Sequence, residues 1–514
     1  MYTGNASQPV ASGIAISGDK VIGVGDDIAR YAGPSTQRID GRGQTVVPGF
    51  IDSHVHMAAI GELLNSFDLR HVKTTAEVAA IVKKAVASAA PGEWVEGRAW
   101  DETNWGGAFP TAAMLDPVSP ANPVFLRRVD GHAGWANTAA MKALGITKDT
   151  KEPPGGKVVR NASGEPTGIF IDRAQQLIAG RIPPPTHAQI DKRLARAAEE
   201  CVRLGLTTIH DAGISRAELD AYRRLLAANR LPVRVYAMIG GSGDLWREYL
   251  KKGPEISDRL TVRSIKLVAD GAMGSRGAAF WQPYSDDPGN TGLLILKKEE
   301  IAAVARDAVE HGFQVNTHAI GDRANRTVLD AYAEALGGKN DKRFRIEHAQ
   351  VVALPDFALF VKYSVIASMQ STHATSDMRW AAARLGPDRM QGAWAPKRFM
   401  ALGVPVTNGS DAPVESVNPL WGFYAAVTRQ DHEGHPPGGF MPEQKITREE
   451  ALRSWTAAGA YAAFEEGRKG TIEPGKLADF VLLSQDIMKV PDNQLLKTHV
   501  TMTVLGGKIV YREQ

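Results

Sequence analysis

Histidines stand where an apolar segment near the start of the chain ends. His54 and His56 close the sequence Phe50-Ile51-Asp52-Ser53-His54-Val55-His56. Because side chains alternate along a strand, both imidazoles point to the same side and can share one cation. Two hydrogen-bonded structural histidines would give the same pattern. The pair therefore indicates a metal site only if the other strands also end in residues that can bind a metal.

Three further residues occupy the same kind of position. His318 and His348 each end an apolar segment, and Asp411 comes shortly after another. If these segments are parallel strands of one barrel, four imidazoles and a carboxylate meet at one mouth. Nitrogen and carboxylate ligands in this number suit a divalent metal such as zinc.

Lys266 is the unusual candidate, because it lies in the middle of the apolar segment 264–268. A lysine buried in a sheet is costly unless it is paired or modified. The residues alone leave two interpretations open. Lys266 forms a salt bridge with Asp270, which points the same way, or carbon dioxide converts Lys266 to an anionic carbamate that bridges two metals.

Strands and amphipathic helices alternate through the middle of the chain, which is typical of βαβ units and a parallel sheet. The eight candidate strands are Val46–Asp52, Leu206–His210, Val233–Met238, Ser264–Ala269, Gln314–His318, Phe344–His348, Val365–Met369 and Val404–Thr407. Eight such units predict an α/β fold of the TIM (β/α)8 type. A doubly wound open sheet is the alternative, but the glycine-rich fingerprint that it often carries is missing.

The two ends of the chain and one long gap fall outside the barrel pattern. Both ends of the chain have a pattern of short strands and turns, over residues 1–50 and 468–514. We therefore expect that they form one small composite, sandwich-like β domain. The barrel then spans 51–467. An inserted substructure of about residues 58–190 follows the first barrel strand, since unstructured loops of that length are rare. We expect it to wall the catalytic mouth.

Composition excludes several classes of function. The 514 residues carry a net charge of +3 without a basic stripe, so nucleic acid is not an expected partner. No apolar run approaches the roughly 18 residues of a membrane span. A single cysteine excludes an internal disulfide. A homodimer is compatible with the sequence. A cytoplasmic location is the default, and an exported form follows if a leader has been removed before Met1.

The motifs together resemble the amidohydrolase superfamily, and within it the amidohydrolase-3 branch that is similar to N-substituted formamide deformylase. The segments that carry the superfamily resemblance are 47–56, 317–322, 345–350 and 409–413. The segments that carry the branch resemblance are 97–101, 130–137, 266–276 and 470–479. One departure is that the family usually has another strand before the segment that begins here at Met1, which leaves two expectations open: an incomplete small β domain, or a sequence trimmed at its start.

The resemblance implies a barrel with a composite β domain and a two-metal centre. The implied ligands are His54, His56, Lys266, His318, His348 and Asp411. In this set Lys266 is the bridging carbamate, made with carbon dioxide, and the two divalent ions are expected to be zinc.

The expected reaction is hydrolysis of a C–N bond in a small-molecule amide, an N-acyl or N-formyl amine with an apolar part. A metal lowers the pKa of bound water to about 7 and supplies hydroxide. Asp411 would orient that hydroxide, take its proton and deliver it to the leaving nitrogen. No Gly-x-Ser-x-Gly elbow is present, so a serine-hydrolase route has no support.

Two other functions stay open. A one-metal deaminase on the same barrel would leave Lys266 as a structural cation. A non-catalytic relative that acts in assembly or binding is disfavoured, because such relatives lose ligands and here all six positions are filled. The weaker substrate-binding candidates are His132 and Trp100 in the insertion and His210 at the end of the second strand, and a structural role fits each of them as well.

Overall fold

The computed structural model describes residues 1–65, 67–70, 72–182 and 184–514. The strands in chain order are β1 Ile14–Ser17, β2 Lys20–Val24, β3 Thr45–Pro48, β4 Phe50–Val55, β5 Val95–Trp100, β6 Val124–Arg128, β7 Ala133–Ala136, β8 Gly156–Arg160, β9 Pro166–Asp172, β10 Leu206–Ile214, β11 Arg234–Gly240, β12 Glu255–Ile256, β13 Leu260–Val268, β14 Gln314–Ala319, β15 Arg345–His348, β16 Ile366–Met369, β17 Val406–Asn408, β18 Phe480–Leu483, β19 Val500–Leu505 and β20 Lys508–Arg512. The α-helices are α1 Met57–Asn65, α2 Thr75–Val86, α3 Thr138–Ala143, α4 Gln176–Ala179, α5 His187–Arg203, α6 Arg216–Ala227, α7 Leu245–Lys252, α8 Lys298–Glu310, α9 Asp322–Leu336, α10 Phe357–Tyr363, α11 Ser371–Met390, α12 Pro396–Ala401, α13 Pro419–Thr428, α14 Arg448–Ser454 and α15 Ala457–Ala462.

Eight parallel strands form the predicted barrel. Their order around it is β4, β10, β11, β13, β14, β15, β16 and β17. The chain after β17 meets β4 again, because Val55 and Ala412 form a parallel bridge and the Asp411 N–H donates to the His54 carbonyl at 2.7 Å. The TIM-type fold is therefore confirmed, and its carboxyl-terminal mouth lies where the chemistry was expected.

Local sequence explains why helices follow the strands. Helix α6 begins after Ser215, whose hydroxyl accepts the N–H of Glu218, while the Glu218 carboxylate accepts the N–H of Ser215. Helix α5 begins after a second capping box of this kind. Such boxes satisfy N–H groups that the first turn leaves free. Strand β11 is buried at six of its seven positions, as expected for a parallel strand covered by helices.

The expected first strand, Val46–Asp52, is two strands, which corrects that prediction. The chain divides at Gly49, whose N–H donates to the Asp479 carbonyl at 3.0 Å. A Cβ at Gly49 would lie 2.3 Å from Thr207 Oγ1, so only glycine fits where the chain passes from one sheet into the other. Strand β3 belongs to the small sheet and β4 to the barrel.

The two ends of the chain meet in a separate antiparallel sheet with the order β20, β19, β18 and β3. Strands β1 and β2 form a hairpin, which is tied to the C-terminal part by the hydrogen bond from Val21 N–H to the Lys476 carbonyl at 2.9 Å. The pairing of β3 with β18 joins residues that are more than 400 positions apart. The division into domains at residues 50 and 468 stays a prediction.

Between β4 and β10 the chain builds a further sheet with the order β5, β6, β7, β9 and β8. It has its own apolar core, in which Trp100, Leu126 and Trp135 are fully buried. This is the region expected as an insertion, and its limits near residues 58 and 190 remain predicted. None of the helices in the described ranges is long and apolar enough to cross a membrane.

Candidate metal centre

Two histidines aim at one carboxylate at the barrel mouth. His54 lies in β4 and is fully buried, while His56 follows the strand and is partly exposed. Their Nε2 atoms lie 3.5 Å and 3.1 Å from Asp411 Oδ1. The Asp411 backbone adopts a φ of +55°, which non-glycine residues rarely do. The structure therefore brings three of the predicted ligands together.

A buried ion pair orients His54. Its Nδ1–H donates to Glu347 Oε2 at 2.5 Å, and Arg345 contacts the other oxygen of Glu347 at 2.7 Å. Burial alone would raise the pKa of Glu347, but Arg345 and His54 hold it well below its usual range. Burial also lowers the pKa of His54 to about 4. A neutral imidazole with Nδ1 engaged leaves Nε2 free to bind a cation.

His348, which follows Glu347 in β15, is also oriented by a hydrogen bond to its Nδ1 atom. Its Nδ1–H donates to Gln370 Oε1 at 2.8 Å, and the Gln370 amide is itself fixed by the Ser368 carbonyl. Its ring centroid lies 5.0 Å from that of His54 and 4.5 Å from that of His318. Burial and the neighbouring His318 keep the pKa of His348 well below its ordinary value. All four predicted histidine ligands therefore share one mouth.

His318 differs from the others in the direction of its Nε2 atom, which lies 3.4 Å from Asp270 Oδ1. Asp270 is fully buried and accepts the backbone N–H groups of Ala279, Ile320 and Gly321 at 2.8 to 3.0 Å. The carboxylate is thus already surrounded by donors. His318 is held against it rather than against Asp411.

Lys266 lies in β13 and lines the cavity, with a side chain that is almost fully buried. In the part of the chain that the structure describes, its amine forms no ion pair or hydrogen bond, so the proposed salt bridge to Asp270 is not present. Burial lowers the pKa of Lys266 to about 8, although Glu347 and Asp411 oppose the shift. A substantial fraction of the amine is therefore neutral near pH 8.

His132 reaches the cavity from the insertion. Its Nδ1–H donates to Asp172 Oδ1 at 2.7 Å, and its ring centroid lies 5.2 Å from that of His318. Burial would lower the pKa of His132, but the bond to Asp172 raises it to about 9. The position is compatible with the predicted substrate contact, which stays a prediction.

The two other substrate candidates are buried and do not line the cavity, which corrects both expectations. Trp100 is fully buried in the insertion, donates its Nε1–H to the Leu126 carbonyl at 2.8 Å and packs against Trp135. His210 is fully buried inside the barrel, where Arg345 donates to its Nδ1 at 3.0 Å. Alternation and loop position could not distinguish an interior side chain from one on the cavity wall.

Sequence reasoning missed His373, which lies in the first turn of α11 and lines the cavity. Its Nε2 is 3.7 Å from Asp411 Oδ2, and its ring stacks on that of His348 with centroids 5.8 Å apart. The signal was available, because His373 follows the seventh candidate strand after only three residues.

The residues present fit a metal. Two groups of three donors, each with ligand atoms within 4.8 Å of one another, are formed by His54, His56 and Asp411 and by His348, His373 and Asp411. Among the described residues, the Nε2 atoms of His54, His318 and His373 are buried without a hydrogen-bond partner. Buried nitrogen atoms in this state need an explanation, and neutral imidazoles beside a carboxylate are what zinc-like cations bind.

The site opens into a large cavity of about 960 Å³. Its wall is formed by the barrel mouth, the insertion and the first turns of α11. The insertion contributes Arg128 and His132 among others, and α11 contributes Asp377. A volume near the upper end of the usual range for ligand pockets, about 300–1,000 Å³, accommodates a small organic molecule.

An eight-stranded barrel that gathers histidines, an aspartate and a buried lysine at its carboxyl-terminal mouth defines the metal-dependent hydrolase type of α/β barrel. The comparisons with known proteins assign the family. The amidohydrolase family model matches residues 37–511, and the chain belongs to that family.

Several relatives match over nearly the whole chain. LONG AFTER FAR-RED 3 of Arabidopsis thaliana is 34% identical over 99% of this chain and 90% of its own length. The N-substituted formamide deformylase of Arthrobacter pascens is 28% identical over 99% of this chain and 96% of its own. An uncharacterized metal-dependent hydrolase from Pyrococcus horikoshii has a similar structure, with a TM-score of 0.75 and 28% identity over 94% of this chain and 95% of its own.

Proposed function

We propose that this protein hydrolyses the C–N bond of a small amide, an N-acyl or N-formyl amine, at a metal centre in the barrel mouth. The observation that carries the proposal is the convergence of His54 and His56 Nε2 on Asp411 Oδ1 at the floor of a large cavity. Similarity to a formamide deformylase over the whole chain supports the choice of bond.

The proposed ligands are His54, His56, Lys266, His318, His348 and Asp411, which together would hold two divalent ions, zinc being the expected one. When bound, such ions polarise a carbonyl oxygen and lower the pKa of a water molecule to about 7. The chain supplies orientation, because Glu347 and Gln370 fix the rings of His54 and His348. Outer partners of this kind raise ligand basicity and keep the ring in place.

Asp411 is the proposed general acid and base. Burial would raise its pKa, but the surrounding histidines, His54 first among them, hold the pKa well below its usual value. It is therefore a carboxylate that can take a proton from the attacking water. It then delivers that proton to the leaving nitrogen, so that the amine departs neutral.

Lys266 is the proposed bridging carbamate. The neutral amine nitrogen forms a bond to the carbon of carbon dioxide and releases one proton to solvent, which leaves an N-carboxylate. The lowered pKa of about 8 makes the neutral amine available, and its position on the cavity wall without a partner in the described structure gives the product room. The new negative charge would offset that of the cations.

Product analysis tests the function. Purified protein is depleted of metal with a chelator, reloaded with zinc and given a panel of N-formyl and N-acyl amines. We expect zinc-dependent release of a primary amine and a carboxylic acid. Asp411→Asn should lose about 10²–10⁴-fold in turnover, the usual contribution of general acid–base catalysis. Hydrolysis that is equally fast without metal, or in the Asp411 variant, would contradict the proposal.

Deamination on the same barrel is the alternative. His54, His56 and Asp411 form a three-ligand group without help from Lys266, which is the observation that favours a one-metal enzyme. Release of ammonia rather than a substituted amine, with a single zinc ion per chain, would establish it.

A further inference from the structure

His373 belongs to the barrel mouth although it lies outside the six proposed ligands. It follows β16 in the first turn of α11, and its side chain is about nine-tenths buried. The backbone around it is anchored, because Ser371 donates both its N–H and its hydroxyl to Asn408 Oδ1 at 3.0 and 2.9 Å. The Ser376 hydroxyl donates to the His373 carbonyl at 3.3 Å. The imidazole is thus presented by a fixed helix end.

The two oxygens of Asp411 face different histidines. Oδ1 faces the Nε2 atoms of His54 and His56, whereas Oδ2 lies 3.7 Å from Nε2 of His373. A distance of 3.7 Å is too long for a hydrogen bond between the two atoms. A carboxylate with one oxygen toward each group is placed to serve two cation positions at once.

The His373 nitrogen also needs a partner that the described residues do not supply. Its Nε2 is buried and accepts or donates no hydrogen bond there. The ring lies nearly parallel to that of His348, with an interplanar angle of 15°. Ligand atoms of His348, His373 and Asp411 lie within 4.8 Å of one another, which is close to the separations that three ligands of one ion have.

We propose that His373 is a metal ligand, which completes a second cation position together with His348 and Asp411. This inference rests on the proposed function in that it requires a metal centre at the barrel mouth. It adds a seventh residue to the set and changes the role of Asp411, which would bridge the two positions through its two oxygens. The ligand would be a divalent cation of the zinc type, bound by a neutral imidazole nitrogen.

Metal titration tests the proposal without a substrate. Metal-free protein is titrated with Co²⁺, and bound metal is measured by equilibrium dialysis and by visible absorption. We expect wild type to bind two ions. His373→Ala should keep the first ion with its affinity unchanged and bind the second at least about tenfold more weakly, since even the loss of an outer partner costs 10–100-fold. The absorption of the second ion should change shape as well.

His311→Ala is the matched control, because His311 is an exposed histidine at the end of α8 and touches no part of the mouth. It should titrate as wild type does. Thermal unfolding of the metal-free proteins shows whether His373→Ala folds, and His373→Gln serves in its place if it does not.

The outcomes separate the two claims. Two ions bound by His373→Ala with wild-type affinities and spectra would overturn the role of His373, and so would a wild-type protein that binds one ion whose affinity the variant leaves unchanged. A wild-type protein that binds no Co²⁺ or Zn²⁺ would instead overturn the proposed function itself.

Discussion

Two regions of the molecule bury ionisable side chains, and they differ in how the charges are paired. In the insertion, the Arg128 guanidinium is almost fully buried and contacts the carboxylates of Asp101, Glu102 and Asp130 at 3.1 Å or less. Arg379 of α11 adds a second ion pair to Asp101. We call these residues the Arg128 cluster, and each of them has an oppositely charged partner.

At the barrel mouth, by contrast, buried nitrogen atoms lack partners in the described part of the chain. The Nε2 atoms of His54 and His373 are buried and have no hydrogen-bond partner within the described ranges. Lys266 is a largely buried residue on the cavity wall, and its amine forms no ion pair with the described residues. Among the described residues, Asp411 is the carboxylate that faces the Nε2 atoms of His54 and His373, while Glu347 is already engaged by His54 Nδ1 and Arg345.

The difference separates structural charges from charges kept for a ligand. A buried charge that is fully paired holds elements together, and the loss of one partner is then strongly destabilising. Buried nitrogens without partners cost free energy and need an explanation, and where several of them surround one carboxylate, a bound cation supplies it. The comparison predicts that changes in the Arg128 cluster reduce stability, whereas changes at the mouth reduce metal binding and turnover.

The largest effect is expected from Lys266→Ala. It should lose turnover by well over 100-fold and bind at least one metal ion fewer, because the bridging anion is gone. Lys266→Arg should fail as well, since a guanidinium stays cationic. A short carboxylic acid added to the alanine variant should restore part of the rate. Metal analysis and turnover of the purified variants decide the point, and full metal with near-normal turnover would make Lys266 structural.

Arg128→Met tests whether the Arg128 cluster stabilises the fold without contributing to metal binding. It removes the cation that Glu102 and Asp130 share and leaves Asp101 with Arg379 alone, so the free energy of unfolding should fall by about 3–5 kcal/mol. Denaturation by urea followed by tryptophan fluorescence measures this change. Metal stoichiometry should stay as in wild type. Lost metal with unchanged stability would show that the two regions are not separate in function.

Gln370→Ala should have an intermediate effect. His348 loses the acceptor that fixes its Nδ1–H, and the affinity of the centre for zinc should fall by about 10–100-fold. Gln444→Ala is a matched control, because Gln444 is a buried glutamine that contacts the backbone of Arg398. Equal zinc affinities for wild type and both variants would refute the orienting role.

Trp100→Phe should have the smallest effect. The change removes the Nε1–H that the Leu126 carbonyl accepts, so stability should decrease by about 1 kcal/mol. KM should not change, because the side chain lies in the core of the insertion. A raised KM at unchanged stability would return Trp100 to the substrate site.

Much of the fold was readable from the sequence, for identifiable reasons. Parallel barrel strands are apolar on both faces and alternate with amphipathic helices, so the eight segments stand out. The break at Gly49 did not, because it depends on the approach of Thr207 from a strand more than 150 residues away. Long-range packing of this kind leaves no local pattern.

In the candidate site, too, some residues could be predicted from the sequence and others depend on long-range packing. His54, His56, His318, His348 and Asp411 could be predicted because strand ends meet at one mouth. The partners that orient them, Glu347 and Gln370, could not, since only the closed barrel brings them within hydrogen-bonding distance. His210 and Trp100 mislead for a related reason: a residue near the mouth in sequence can point into the interior.

The most direct test of the metal centre is a crystal structure of the zinc-loaded protein with anomalous data on both sides of the zinc edge. We expect two anomalous peaks at the barrel mouth, one between His54, His56 and Asp411 and the other beside His348. We also expect density that extends beyond the Lys266 amine. An anomalous map without a peak at the mouth in zinc-loaded crystals would contradict the proposed metal centre.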